Sequence, residues 1–225
     1  MTETERSLRQ AVIDTCLALD AKGINQGTSG NVSVRCESGN PNAGFYLTPT
    51  SIPYATMRPE DLVHVALDGT VTGRARPSSE LPFHLAIMRA RPDAQAIVHT
   101  HSTHATAVSC LRESIPAIHY LVALFGGNDI RCADYATFGT EALSQNVLTA
   151  LAGRRAALMA NHGLIVLGKN LDQALALTVE AEQLAVLLLR ARAAGSPVIL
   201  PDDEMERVLL KFADYGYGPV APDPA

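Results

Sequence analysis

The chain has 225 residues, 47% of them hydrophobic, and a formal net charge of −5. That apolar fraction supports a buried core and excludes a disordered class, and at roughly 100–200 residues per domain the length suits one domain, residues 1–225. The acidic balance, without any basic cluster, excludes the electrostatic footprint of a nucleic-acid binder and leaves a small molecule as the expected partner. The cysteines Cys16, Cys36, Cys110 and Cys132 form no CxxC pair. Neither a thiolate zinc site nor a disulfide framework is therefore expected, and Cys110 and Cys132 are expected to be small buried hydrophobes. Residues 1–10 are polar and charged, unlike a signal peptide. The most apolar run near the C-terminus, 184–189, is too short to cross a bilayer. A cytoplasmic protein with no membrane partner is expected.

In chain order, Leu8, Val12, Ile13, Cys16, Leu17 and Leu19 recur at helical spacing, which predicts a helix over 3–22 that stops at Gly23. The loop 25–31 is rich in small and amide residues and precedes an alternating strand over 32–34. Its glycines allow close backbone approach to a ligand, and its N–H groups can bind an anion. Strands are predicted over 45–48 and 61–67, with Pro49, Thr50 and Ser51 turning the chain after the first. Ser78 or Ser79 is the predicted N-cap of a helix through 83–88, and a helix start carrying serine hydroxyls is a ready phosphate site. Glu80 there would be stabilised by the helix dipole.

Residues 96–98 are strand formers that run into His99, Thr100 and His101. Side chains at i and i+2 of a strand share one side, so His99 and His101 can hold one ion between them. Short helices are predicted over 105–111 and 140–151, around an apolar segment 118–125 that carries His119 and Tyr120. A buried strand over 156–160 delivers Asn161 and His162, and a paired strand follows over 163–167. A long helix over 172–194 and a last helix near 202–212 precede a Gly/Pro-rich tail with Tyr215 and Tyr217. His99, His101, His162 and Glu80 thus fall at strand ends or a helix start, near three loops suited to phosphate. The residues suggest metal-assisted chemistry on a phosphorylated small molecule. His64, His84, His104 and His119 are expected to be structural or to support the site from outside.

The motifs carry a resemblance as well. The runs 25–35 (NQGTSGNVSVR), 47–54 (LTPTSIPY), 77–80 (PSSE), 91–94 (RPDA) through 98–101 (VHTH), 114–120 (SIPAIHY), 135–140 (YATFGT) and 162–165 (HGLI), in this order, resemble the class II aldolase/adducin family over almost the whole chain. The resemblance implies an α/β fold with a central, mainly antiparallel β-sheet flanked by helices. It implies Zn²⁺, with Mn²⁺ or Co²⁺ as alternatives, on His99, His101, His162 and Glu80, the last also serving as general acid/base. Phosphate would sit among Gly30, Asn31, Thr50, Ser51, Ser78 and Ser79. Tyr120 would reach a neighbouring subunit's site and protonate the aldehyde oxygen, with Phe138 and Tyr215 lining the aldehyde end in a homotetramer whose sites lie at subunit interfaces. The implied reaction cleaves a 5-deoxyketose 1-phosphate of the L-fuculose 1-phosphate type to dihydroxyacetone phosphate and an aldehyde such as L-lactaldehyde.

Cleavage of 5-methylthioribulose or 5-deoxyribulose 1-phosphate is the alternative that these residues do not separate. L-ribulose-5-phosphate 4-epimerisation is disfavoured because such relatives typically carry Asp where this chain has Glu80. An adducin-like non-enzymatic role is disfavoured because such domains lose the metal ligands kept here. Asn161 stands where relatives often have a second histidine, and Ser51 where a glycine is usual.

Overall fold

The computed structural model describes residues 1–36 and 44–214; Tyr215 and Tyr217 lie outside them. Helix α1 (Glu3–Ala21) opens with Thr2 and Glu5 closing a reciprocal capping box, and Gly23 ends it at φ 69°. Both ends follow the physics expected of them: orphan N–H groups find side-chain oxygens, and the reversal takes a residue without Cβ.

Strands β1 (Asn31–Arg35), β2 (Gly44–Leu47), β3 (Val63–Ala66), β4 (Val71–Thr72), β5 (Ala96–Thr100), β6 (Ile115–Pro116), β7 (Asp129–Ala133), β8 (Ala156–Met159) and β9 (Gly163–Gly168) form one sheet in the order β4-β3-β2-β1-β5-β9-β8-β7-β6. Every pairing is antiparallel except β7 with β8, so the expected mainly antiparallel sheet is the one observed. The predicted strand 61–67 is shorter than expected, since Pro59–Asp61 forms a 3₁₀ turn. The apolar segment 118–125 is also 3₁₀ over Tyr120–Phe125 and ends on Gly126 at φ 96°. Strand β7 was not anticipated. Its charged Asp129 and Arg131 break the apolar pattern, yet Ile130 and Ala133 are buried against the sheet.

Helices α2 (Leu81–Ala90) and α4 (Glu141–Ala150) cover one face, where Phe83, Ile87 and Val147 pack on Ile97, Met159 and Ile165. Helix α1 with α3 (Thr103–Cys110), α5 (Leu171–Ala194) and α6 (Asp202–Asp214) covers the other. The alternation of β5 divides cleanly: Ala96 and Val98 belong to the α1 side and Ile97 to the α2 side. His99 therefore points the way Ile97 does, towards Phe83 of α2. The cysteine expectation is corrected here. Cys16 and Cys36 are the buried thiols, while Cys110 is exposed at the end of α3 and Cys132 half-buried. No helix among the described residues is long and apolar enough to cross a membrane.

Helix α3 begins just after His101, and its first N–H groups are satisfied from a distance. The buried Glu182 of α5 accepts from the amides of His104 (2.9 Å) and Ala105 (2.8 Å), and one of its oxygens lies 2.7 Å from His104 Nδ1. Burial would raise the Glu182 carboxyl, but these bonds hold it below its ordinary range. Glu182→Ala is expected to destabilise the protein by about 1–3 kcal/mol, because buried donors are left without partners. Urea unfolding checks this, and an unchanged midpoint would show the carboxylate to be dispensable.

Candidate metal centre

Strand β5 brings His99 to its end fully buried, and its Nδ1 lies 2.9 Å from the carbonyl of Leu164 in β9. A carbonyl only accepts, so Nδ1 carries the proton and Nε2 turns its lone pair inward. His101 follows as the strand ends, its Nε2 3.0 Å from His99 Nε2. His162 sits in the tight turn between β8 and β9, closed by its own amide on the Met159 carbonyl (3.0 Å). Asn161 in that turn adopts φ 52°, a left-handed conformation that asparagine tolerates better than most residues. Gly163 lets β9 lie against β5: a Cβ there would run into the Thr100 carbonyl and come within 3.0 Å of the His101 ring. The ring centroids of His99, His101 and His162 are consequently 4.9 Å apart in each pair.

Glu80 faces this triangle. Its carboxylate lies 3.0 Å from His99 Nε2 and 2.9 Å from His162 Nε2. The expectation that Ser78 or Ser79 caps α2 is corrected: Glu80 itself occupies the N-cap position and makes no side-chain cap bond. Ser78 Oγ instead accepts from the Glu80 amide (3.2 Å), which frees the carboxylate to point inward. Burial alone would raise the Glu80 carboxyl; the His99 and His162 rings outweigh it and hold the group well below the usual carboxylate range. Burial, reinforced by the other two rings, lowers His101 to about 4.

The four residues offer ligand atoms that all lie within 4.8 Å of one another. Zinc–nitrogen bonds of about 2.0–2.1 Å set tetrahedral ligand atoms about 3.3 Å apart, and His99–His101, Glu80–His99 and Glu80–His162 lie at 3.0, 3.0 and 2.9 Å. With the His99 lone pair turned inward, the donor set fits a divalent metal.

The expected phosphate loops gather at the same end of the sheet. Thr50 N donates to the Arg76 carbonyl (3.0 Å) and Ser78 N to the Thr48 carbonyl (3.2 Å), so the 48–51 and 76–79 segments are stitched together. Gly30 lies against the backbone of His99, where a Cβ would come within 2.7 Å of that carbonyl. Ser51 takes φ 62°, the conformation for which a glycine is the natural choice. Phe138 lines a cleft of about 280 Å³ with Ser79, Glu80, His101, Tyr135, Asn161 and His162. Tyr120 does not line that cleft; it is 47% exposed and its ring lies against His119.

The sequence reading missed two contributions, the tie from Asn31 to Glu80 and the place of Tyr135 in the cleft. The Asn31 amide is engaged with Glu80 (2.8 Å) and with His84 (2.6 Å), so its side chain is tied to the metal cluster and not held free for phosphate. Tyr135, whose run 135–140 carries part of the resemblance, lines the cleft beside Phe138. His84, fully buried, is pushed down to about 3 by burial and stays neutral in the folded protein.

That last shift has a pH signature. As pH falls below 6.5 the unfolded histidines take up protons, whereas the folded His101 and His84 refuse them until about 4 and about 3. The unfolded state binds more protons in that window, so the metal-free protein is expected to be most stable above pH 6.5 and to lose stability as pH falls towards 5. Urea midpoints at pH 7.5, 6.5 and 5.5 measure this, and a flat profile would contradict it.

Three imidazoles and a carboxylate that converge at one sheet end make a candidate site for a divalent metal. The sequence profile of the class II aldolase and adducin N-terminal domain family matches residues 10–189, and the chain belongs to that family. The L-fuculose phosphate aldolase of Escherichia coli (strain K12) is 49% identical over 210 residues, 93% of this chain and 95% of that protein. The 5-methylthioribulose-1-phosphate/5-deoxyribulose-1-phosphate aldolase of Rhodospirillum rubrum is 45% identical over 218 residues, 97% of this chain and 96% of that one. A solved L-fuculose 1-phosphate aldolase superposes with a TM-score of 0.87 at 38% identity, covering 92% of this chain and 96% of its own.

Proposed function

We propose that this chain is a cytoplasmic, zinc-dependent class II aldolase, built as one domain over 1–225. It reversibly cleaves a 5-deoxyketose 1-phosphate of the L-fuculose 1-phosphate type to dihydroxyacetone phosphate and an aldehyde such as L-lactaldehyde. The observation that carries this reading is the convergence of Glu80, His99, His101 and His162, in a chain whose relatives over nearly its full length are named as aldolases of such sugars. When bound to these residues, the ion supplies Lewis acidity towards the substrate's oxygen atoms.

The chain's own groups do the rest. Glu80 moves the proton at C3 of the ketose, the carbon left with an electron pair once the C3–C4 bond parts. Main-chain N–H groups of Gly30, Ser51 and Ser79 and the hydroxyls of Thr50, Ser51, Ser78 and Ser79 hold the phosphate, with Asn31 contributing through its main chain. This anchors the substrate remote from the reacting bond. Tyr120, exposed on its own subunit, serves the aldehyde oxygen of a neighbouring copy in a homotetramer, and Phe138 and Tyr215 line the aldehyde end.

The second reading changes only the aldehyde. It is favoured by the match to the R. rubrum enzyme, which spans 97% of this chain, and takes 5-methylthioribulose or 5-deoxyribulose 1-phosphate as substrate. The protein, with Zn²⁺ supplied, would be incubated separately with L-fuculose 1-phosphate and 5-methylthioribulose 1-phosphate. Release of dihydroxyacetone phosphate would be followed by coupled NADH oxidation, with and without chelator. Chelator-sensitive release that favours the fuculose ester is expected. Preference for the thio-sugar moves the assignment to the second reading, and release from neither sinks both.

A further inference from the structure

The Glu80 carboxylate ends a buried line of hydrogen bonds. Ser33 Oγ lies 2.7 Å from His84 Nδ1, His84 Nε2 lies 2.6 Å from Asn31 Oδ1, and Asn31 Nδ2 lies 2.8 Å from Glu80 Oε2. Ser33 and His84 are fully buried, and Asn31 and Glu80 nearly so.

The direction of each bond follows from chemistry. An ionised carboxylate only accepts, so Asn31 must present its NH₂ to Glu80. The amide oxygen it turns the other way only accepts, so His84 Nε2 carries hydrogen. A neutral imidazole has one N–H, so its Nδ1 accepts and the Ser33 hydroxyl donates. Every donor in the line points towards the metal cluster. The two strands involved are already paired, with Asn31 opposite His99 in the β1–β5 register, so the line stands beside the strand that carries the central ligand.

We propose that Ser33 and His84 are positioning residues that lock the Asn31 amide with its NH₂ towards Glu80, and through it hold the carboxylate against the three histidines. Without the Ser33 donor, His84 can adopt its other tautomer, the Asn31 amide can turn over, and its oxygen then faces the carboxylate. A repulsion of two acceptors in so buried a place displaces the carboxylate from the cluster. The spectral arm of the test concerns only where Glu80 sits; its catalytic arm rests on the aldolase reading.

The experiment compares Co²⁺-loaded wild type with His84→Leu, His84→Gln and Ser33→Ala. Two quantities are read: the visible absorption of the bound Co²⁺, and uptake of deuterium from solvent into the hydroxymethyl carbon of dihydroxyacetone phosphate. His84→Leu is expected to shift the Co²⁺ band and to slow exchange about tenfold or more, the scale for a partner that orients a ligand, with little change in KM. His84→Gln, which keeps an N–H donor at comparable reach, recovers most of both. Ser33→Ala moves both in the same direction by a smaller amount. A folded His84→Leu protein with the wild-type band and rate overturns the proposal. Where that variant does not fold, Ser33→Ala decides, and an unchanged band and rate overturn it. Wild type that shows no exchange, while its Co²⁺ band still responds to the variants, sinks the aldolase reading and upholds the positioning role.

Discussion

Glu80→Gln is expected to lower kcat for ketose 1-phosphate cleavage by about 10²- to 10⁴-fold, the range for losing a general acid/base, while the protein still binds metal. Glutamine keeps the shape and can still accept from Asn31 Nδ2 through its amide oxygen, so the 2.8 Å contact has a replacement. The three imidazoles that face one another at 4.9 Å remain. What disappears is the ability to take up and return a proton. Steady-state rates and metal content of the purified variant, measured together, decide the matter. A variant that keeps its metal and its kcat would remove Glu80 from the chemistry and leave it as a structural partner of the histidines.

His99→Ala is expected to have the largest effect on metal binding. A loss of affinity greater than the 10- to 100-fold typical of an outer partner is anticipated, because His99 is fully buried with its Nε2 3.0 Å from both the Glu80 carboxylate and His101 Nε2. It also costs stability in the metal-free protein, by about 1–3 kcal/mol, since a fully buried side chain and its hydrogen bond to the Leu164 carbonyl are lost. His162→Ala is expected to weaken the metal site with less effect on folding, because that side chain is 13% exposed and caps no such carbonyl. Competition with a chromophoric chelator, alongside urea unfolding, separates the two. Equal stability losses would show that the Leu164 contact is not what holds His99.

Much of this arrangement was legible in the chain before any coordinates. Helix α1 announces itself through Val12, Ile13, Cys16 and Leu19 at one helical spacing and through Gly23 at its end. The strand running into His99 and His101 is equally plain, because period-two geometry needs no distant information. Strand β7 was hidden because Asp129 and Arg131 obscure its apolar face. The N-cap assignment failed for a related reason: local rules favour a serine oxygen there, whereas Glu80 sits at the cap to carry its carboxylate inward to residues 19 and 82 positions away. Asn31 reaches Glu80 across 49 residues and Glu182 reaches His104 across 78. Contacts of that span are products of sheet order, and no spacing rule within a window can reveal them.

That sheet order has a consequence for how the protein comes apart. Among the described residues strand β5 is the fifth of nine, with β4, β3, β2 and β1 on one side and β9, β8, β7 and β6 on the other. Glu80 enters from the connection that follows the first group, and His162 from the turn inside the second. The two halves of the sheet thus meet at β5, and the four donors come together only when both are docked on it. The amides of residues 97–99 should accordingly exchange their hydrogens with solvent only through whole-molecule opening. A metal held by those four side chains would tie the halves together, so that its binding energy is drawn into the cooperativity of unfolding. Partial opening that frees the outer strands, β4 or β6, should then proceed at the same rate with or without the ion, while opening at β5 slows.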